Sequence, residues 1–255
     1  GAGAVEVVSG VDLDIDRGQI VGLVGESGSG KTQTALALLG LLIEGSHITD
    51  GAIAIDGKVC SIKERIGLLG RKVGYIPQEP MSNLDPAFTI GSQLAEPIRR
   101  TLGLSQRAAK ARSLELLERV GINDPPRVFR SYPHQVSGGM AQRVLIAGAV
   151  SSEPELLIAD EPTTALDVTV QAEILDLIRS LQKEDGIGVL LVSHNFGVIA
   201  DICDRVYVMQ SGLIVESNDV GALFESPRHP YTRSLLDATL EGRPSRVQRE
   251  DARNE

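Results

Sequence analysis

Residues 25–32, GESGSGKT, constrain this chain more than any other feature. They match G-x-x-x-x-G-K-[S/T], directly after an apolar run at 19–24 (QIVGLV) and directly before a helical pattern. Glycines in such a loop let backbone N–H groups turn inward around phosphate oxygens, and the following helix N-terminus adds its positive dipole end. Lys31 is expected to reach the β- and γ-phosphates of a nucleotide, and the Thr32 hydroxyl to ligate Mg2+. A Gly/Ser turn that matches by chance is the bland alternative, and the strand and helix on either side weigh against it.

Three further apolar runs end on polar residues. Residues 73–77 (VGYIP) run into Gln78, 156–159 (LLIA) into Asp160 and Glu161, and 188–193 (GVLLVS) into His194. Val- and Ile-rich runs alternating with helical patterns predict an α/β fold, in which ligands gather beyond the carboxyl ends of the strands. Asp160 is expected to orient Mg2+ through water and Glu161 to polarise an attacking water. Two carboxylates merely capping the next segment would be the plain reading of that pair, and the phosphate loop upstream tips the balance. Ser137-Gly138-Gly139-Met140 precedes an apolar helical run at 143–150 and again offers backbone donors to an anion. Alone it reads as an ordinary capped helix start.

Between 86 and 150 few β-type runs occur. Residues 105–120 form a helical pattern with Leu114, Leu117 and Val120 on one face, and a Pro-rich loop at 123–127 follows. The expected organisation is a core in two parts, 1–84 and 151–232, a helical insertion at 85–150, and a tail or linker at 233–255, charged and without apolar periodicity from 241. With 42% hydrophobic residues the chain can bury a real core. Its longest apolar stretch, 35–43, is nine residues and reads as a core helix, far short of the ~18–20 residues of a membrane span. A net charge of −9 argues against a general nucleic-acid binder. Cys60 and Cys203 have no neighbours at ligand spacing, so neither a zinc site nor a disulfide framework is expected. No signal-peptide pattern opens the sequence, and a soluble chain in a reducing cytosol is the expectation.

Taken in order, GESGSGKT, Gln78, SGGM, LLIADEP, Thr164-Ala165-Leu166-Asp167 and His194 resemble the nucleotide-binding subunit of an ABC transporter, over about residues 7–236. Residues 81–90 (MSNLDPAFTI), 161–171 (EPTTALDVTVQ) and 229–232 (HPYT) are similar to the ATPases of di- and oligopeptide or nickel importers. The resemblance implies a P-loop NTPase of ABC type: a RecA-like core with a mainly parallel sheet, an antiparallel β part and an inserted helical subdomain. ATP and Mg2+ are the implied ligands. Gly25, Glu26, Ser27, Gly28, Ser29, Gly30, Lys31, Thr32 and Gln33 would hold the phosphates; Thr32, Gln78 and Asp160 would serve the metal. Gln78 would couple Mg2+ and the attacking water to the helical subdomain, Glu161 and His194 would act on water and γ-phosphate, and Asp167 would line a dimer interface. Ser137, Gly138, Gly139 and Met140 would bind the nucleotide of a second ATPase subunit or domain, set head to tail. Transmembrane permease subunits, and indirectly a peptide-binding protein, are the implied partners, with no nucleic acid, at the cytoplasmic face of the cell membrane.

Three departures accompany the resemblance. Met140 stands where many family members carry Gln. Residues 1–17 contain no Phe, Tyr or Trp to stack on adenine, so the chain is expected to be a fragment that lacks an upstream strand and ring. No Cys follows Thr232, so no iron–sulfur cluster is expected. Two rival readings share these motifs: a soluble ABC ATPase acting on nucleic acid or ribosomes, and a transporter ATPase for another solute. A third, a non-catalytic ABC domain, expects decay at Lys31, Ser137, Glu161 or His194, and all four are intact.

Overall fold

The computed structural model describes residues 5–240. Strand β1 (Ile20–Val24) is buried along its whole length, as an interior parallel strand with both faces covered must be. The phosphate loop leads from it into α1 (Lys31–Leu39). The apolar stretch expected to be helical to 43 stops at Leu39, because Gly40 adopts φ 76° and Leu41 N–H bonds back to the Leu36 carbonyl at 2.9 Å. Ile43 is accordingly 63% exposed, outside the core it was assigned to.

A small antiparallel pair follows, β2 (Ala54–Ile55) and β3 (Lys58–Val59), and then α2 (Ile62–Leu68), started by a reciprocal Ser61–Glu64 capping box. Strand β4 (Val73–Ile76) returns to the main sheet. The helical insertion holds α3 (Ile90–Leu102), α4 (Gln106–Arg119), α5 (Pro125–Arg130) and α6 (Gly138–Ala149). The Pro-rich stretch 123–127 expected to be a loop is thus helical from Pro125 onward. Pro125 takes a first-turn position where no N–H is needed, and the Asp124 carboxylate accepts the Arg127 amide at 3.1 Å. On α4 the buried face is Ala109, Ser113, Leu116 and Leu117; Leu114 sits half-buried at its edge. Helix α6 begins five residues earlier than the apolar run suggested, at Gly138, with Ser137 as its cap. It packs against both β4 and α3, so insertion and sheet share one core.

The second half supplies β5 (Leu156–Asp160), α7 (Val168–Asp185), β6 (Gly188–Ser193), α8 (Phe196–Ile202), β7 (Arg205–Gln210), β8 (Leu213–Asp219), α9 (Val220–Glu225) and α10 (Pro230–Leu240). The boundary expected at 233 falls inside α10, and the charged stretch from 241 lies outside the described residues. The main sheet has six strands in the order β4-β5-β6-β1-β7-β8, parallel except for the antiparallel pair β7–β8. Side chains alternate across it. Val189 and Leu191 of β6 join the core shared with α6, α7 and α8, whereas Leu190 and Val192 join the core under α1.

Register positions the site. Val24 pairs with Ser193, Asp160 with Val192 and Ile76 with Ala159. The carboxyl ends of β1, β4, β5 and β6 therefore lie along one edge, and the residues just beyond them are the phosphate loop, Gln78, Glu161 and His194.

Candidate nucleotide site

The loop from β1 to α1 is shaped by backbone that only glycine adopts easily. Gly28 and Gly30 have φ of 81° and 108°. Gly25 is needed for a different reason: a Cβ there would lie 2.1 Å from the Met209 carbonyl oxygen of β7. Gly30, the residue that caps α1, has no side chain to accept the first-turn amides, so they remain for an anion. Lys31 is 4% exposed, and its Nζ donates to the carbonyls of Gly25 at 2.9 Å and Glu26 at 2.8 Å. An ammonium has three N–H donors, so this geometry holds the group with one directed elsewhere. Burial lowers the Lys31 pKa, opposed by the nearby charges of Glu161 and Asp160. The rest of the loop divides by exposure: Glu26, Ser27 and Gly28 face solvent, while Ser29 is buried with its hydroxyl unpartnered. Gln33 is half-buried in the first turn of α1.

Asp160 ends β5 and is 1% exposed. Its Oδ1 accepts the Thr32 hydroxyl at 3.2 Å, and its Oδ2 is buried without a hydrogen-bond partner. Orphaned buried carboxylate oxygens are rare, and a hard cation with oxygen ligands and water would satisfy this one. Among the described residues no cluster of three or more His, Cys, Asp or Glu gathers to hold a metal. A cation here would rest on Thr32, Asp160, water and phosphate oxygens, a donor set that suits Mg2+. Burial raises the Asp160 pKa, chiefly by desolvation, with the Thr32 hydrogen bond pulling the other way. A carboxyl whose pKa is raised by folding weakens the fold progressively as pH rises through its unfolded and then its folded value. Asp160→Asn is therefore expected to gain melting temperature over the native chain as pH rises, while losing ATP turnover; a difference that does not grow with pH in thermal scans would contradict the burial argument.

Glu161 follows with φ 46°, a left-handed conformation rare outside glycine and typical of constrained functional positions. Its Oε2 accepts Thr164 Oγ1 at 2.8 Å and Gln78 Nε2 at 3.3 Å, and His194 Nδ1 lies 3.1 Å from it. Residues from beyond β4, β5 and β6 thus meet on one carboxylate oxygen. Thr164 was quoted above only as part of a motif; its hydroxyl contact comes from the tight turn after Glu161, where Thr164 N–H bonds the Glu161 carbonyl at 3.1 Å.

The remaining expected site residues form a second group. Ser137 Oγ accepts the Met140 amide at 3.3 Å, an ordinary helix cap. Gly138 and Gly139 lie against Leu166 and Val170, where a Cβ on Gly139 would come within 2.7 Å of Val170. Asp167 caps α7 by accepting the Val170 amide at 3.0 Å. Among the described residues, no hydrogen bond ties Ser137, Gly138, Gly139, Met140 or Asp167 to the phosphate loop.

The family model described as ABC transporter matches residues 8–164. The dipeptide transport ATP-binding protein DppD of Bacillus subtilis is 44% identical over 238 residues, covering 92% of this chain and 71% of its own length. Its namesake in Escherichia coli is 42% identical over 237 residues, covering 92% and 72%. Among solved structures, the ATP-binding cassette MJ0796, a dimer bound to ADP and Pi in a post-hydrolysis state, superposes with a TM-score of 0.76. It is 28% identical, with 86% of this chain and 93% of that one covered. By sequence, by fold and by the convergence of residues beyond its parallel strands, this chain belongs to the ABC transporter family, on its branch of peptide-import ATP-binding proteins.

Proposed function

We propose that this chain binds and hydrolyses Mg-ATP to drive peptide import across the cytoplasmic membrane, from the membrane's cytoplasmic face. The observation that carries the reading is the pairing of Thr32 with Asp160 near Lys31, beside a Glu161 carboxylate that gathers Gln78, Thr164 and His194. In this reading loop amides and Lys31 bind and orient the phosphates. Thr32 and Asp160 would hold Mg2+, which would supply neutralisation of phosphate charge. Glu161, pinned through Oε2, takes a proton on its other oxygen from a water attacking the γ-phosphorus. The water oxygen bonds to phosphorus as the bond to the bridging oxygen breaks, releasing ADP and phosphate. Gln78 and His194 orient that carboxylate and the γ-phosphate.

The separation of residues 137–140 from the phosphate loop supports a site completed by a second ATPase subunit or domain, head to tail. Val168, beside Asp167, is 84% exposed, as a residue awaiting such a partner would be. Phe88, 56% exposed in the segment after Gln78, offers an apolar contact for permease subunits, which would in turn receive peptide from a binding protein. The net charge of −9 disfavours the nucleic-acid alternative. Phosphate release assayed against protein concentration tests the reading. The expected rate is Mg2+-dependent and rises more steeply than linearly with concentration; no release above background at any concentration would refute it.

A further inference from the structure

The HPYT motif, residues 229–232, has no part in the reaction described above. Its backbone is firmly held. Glu216 of β8 accepts the Arg228 amide on Oε1 at 2.8 Å and the His229 amide on Oε2 at 3.0 Å. His229 Nδ1 accepts the Tyr231 amide at 3.3 Å, and the Arg233 guanidinium donates to the carbonyls of Pro227 at 2.9 Å and Arg228 at 3.1 Å. From this fixed turn at the head of α10, the Tyr231 hydroxyl reaches the phosphate loop and accepts the Glu26 backbone N–H at 3.1 Å.

The peptide that donates this bond is one of the two that hold Lys31. Glu26 N–H and Gly25 C=O belong to a single peptide unit, and no cis peptide occurs among the described residues. In a trans peptide the N–H and C=O point to opposite sides of the chain within one plane. Tyr231 therefore grips the outer side of the plane whose inner side accepts Lys31 Nζ at 2.9 Å. Rotation of that plane would break both bonds together and leave the ammonium on the Glu26 carbonyl alone, free to swing from its aim. We propose that Tyr231 is a positioning residue for the nucleotide site, locking the Gly25–Glu26 peptide so that Lys31 is presented to the phosphates. The inference rests on the ATP reading above. It makes α10 and whatever is attached to it a means of tuning nucleotide affinity from outside the loop.

The test is Tyr231→Phe, which keeps the ring and removes the hydroxyl. Calorimetric affinity for Mg-ATP is expected to fall roughly two- to tenfold, the range of one net hydrogen bond. Turnover at saturating ATP should stay within about twofold, because the lost interaction serves bound substrate and transition state alike. A purely structural tyrosine would lower affinity regardless of Lys31, so the decisive arm is the double variant. In a Lys31→Ala background Tyr231→Phe should cost no further affinity, whereas independent, additive losses would overturn the proposal. Amide hydrogen exchange on the native chain gives a reading that needs no variant. The exposed Glu26 N–H should be protected at least roughly tenfold over a free loop amide, and an unprotected Glu26 would equally overturn the proposal. A native chain that fails to bind Mg-ATP refutes the ATP reading itself. Native binding with equal affinity in Tyr231→Phe refutes only the role of Tyr231.

Discussion

Glu161→Gln is expected to slow ATP turnover by about 10²–10⁴-fold, the usual contribution of a positioned general base, and to leave Mg-ATP bound. The side chains are nearly the same shape, and a glutamine oxygen can still accept from Thr164 and Gln78, the two donors on Oε2, beside His194. What is lost is a group able to take a proton from water. Phosphate contacts through the loop amides and Lys31 are untouched, so the variant should accumulate with ATP as a pair of subunits that does not come apart. Gel filtration with Mg-ATP is expected to show a dimer where the native chain shows mostly monomer. Native-like turnover by the variant would remove Glu161 from the reaction.

Lys31→Ala acts on binding instead. Its ammonium is buried, oriented by two backbone carbonyls, and directed by them into the loop. A hydrogen bond to a charged group contributes about 1.5–3 kcal/mol, so removing the donor should weaken Mg-ATP binding roughly 10- to 150-fold. The carbonyls of Gly25 and Glu26 lose their partner in the same step, which loosens the loop further. Calorimetry decides the matter, and unchanged affinity would contradict the assignment of Lys31 to the phosphates.

The difference between these two variants follows from where their residues sit, and that placement was largely legible in the sequence. The run at 188–193 is a strand to the residue, because uninterrupted β-branched and aliphatic side chains end sharply at a polar one. The same logic located β1, β4 and β5 and so the residues beyond them. Helix limits were harder. The apolar stretch to Ile43 hid a stop at Gly40, where a left-handed residue, not hydrophobicity, ends the helix. Pro125 read as a loop signal, although an Asp followed by Pro is also how a helix can begin. At α6, Ser137 capping onto the Met140 amide places the helix start before the apolar run.

What no local pattern could supply were contacts between distant segments. Tyr231 and Glu26 are 205 residues apart, and nothing in the spacing of either announces the other. The unpartnered oxygen of Asp160 is likewise a product of packing β5 beneath α1, since the sequence shows only an acid after an apolar strand. The grouping of Gly138 and Gly139 with Leu166 and Val170, with no hydrogen bond to the phosphate loop among the described residues, also required the fold. That separation turns a motif list into an argument for a shared site between two subunits.

Peptide uptake tests the central claim most directly. The chain would be assembled with its permease subunits in lipid vesicles, with a peptide-binding protein on the opposite side and Mg-ATP on the side of the ATPase, and labelled peptide counted inside the ATPase compartment. The account predicts accumulation that requires ATP and falls to background when Glu161→Gln replaces the native chain. Accumulation that proceeds equally without ATP, or equally with the variant, would contradict it.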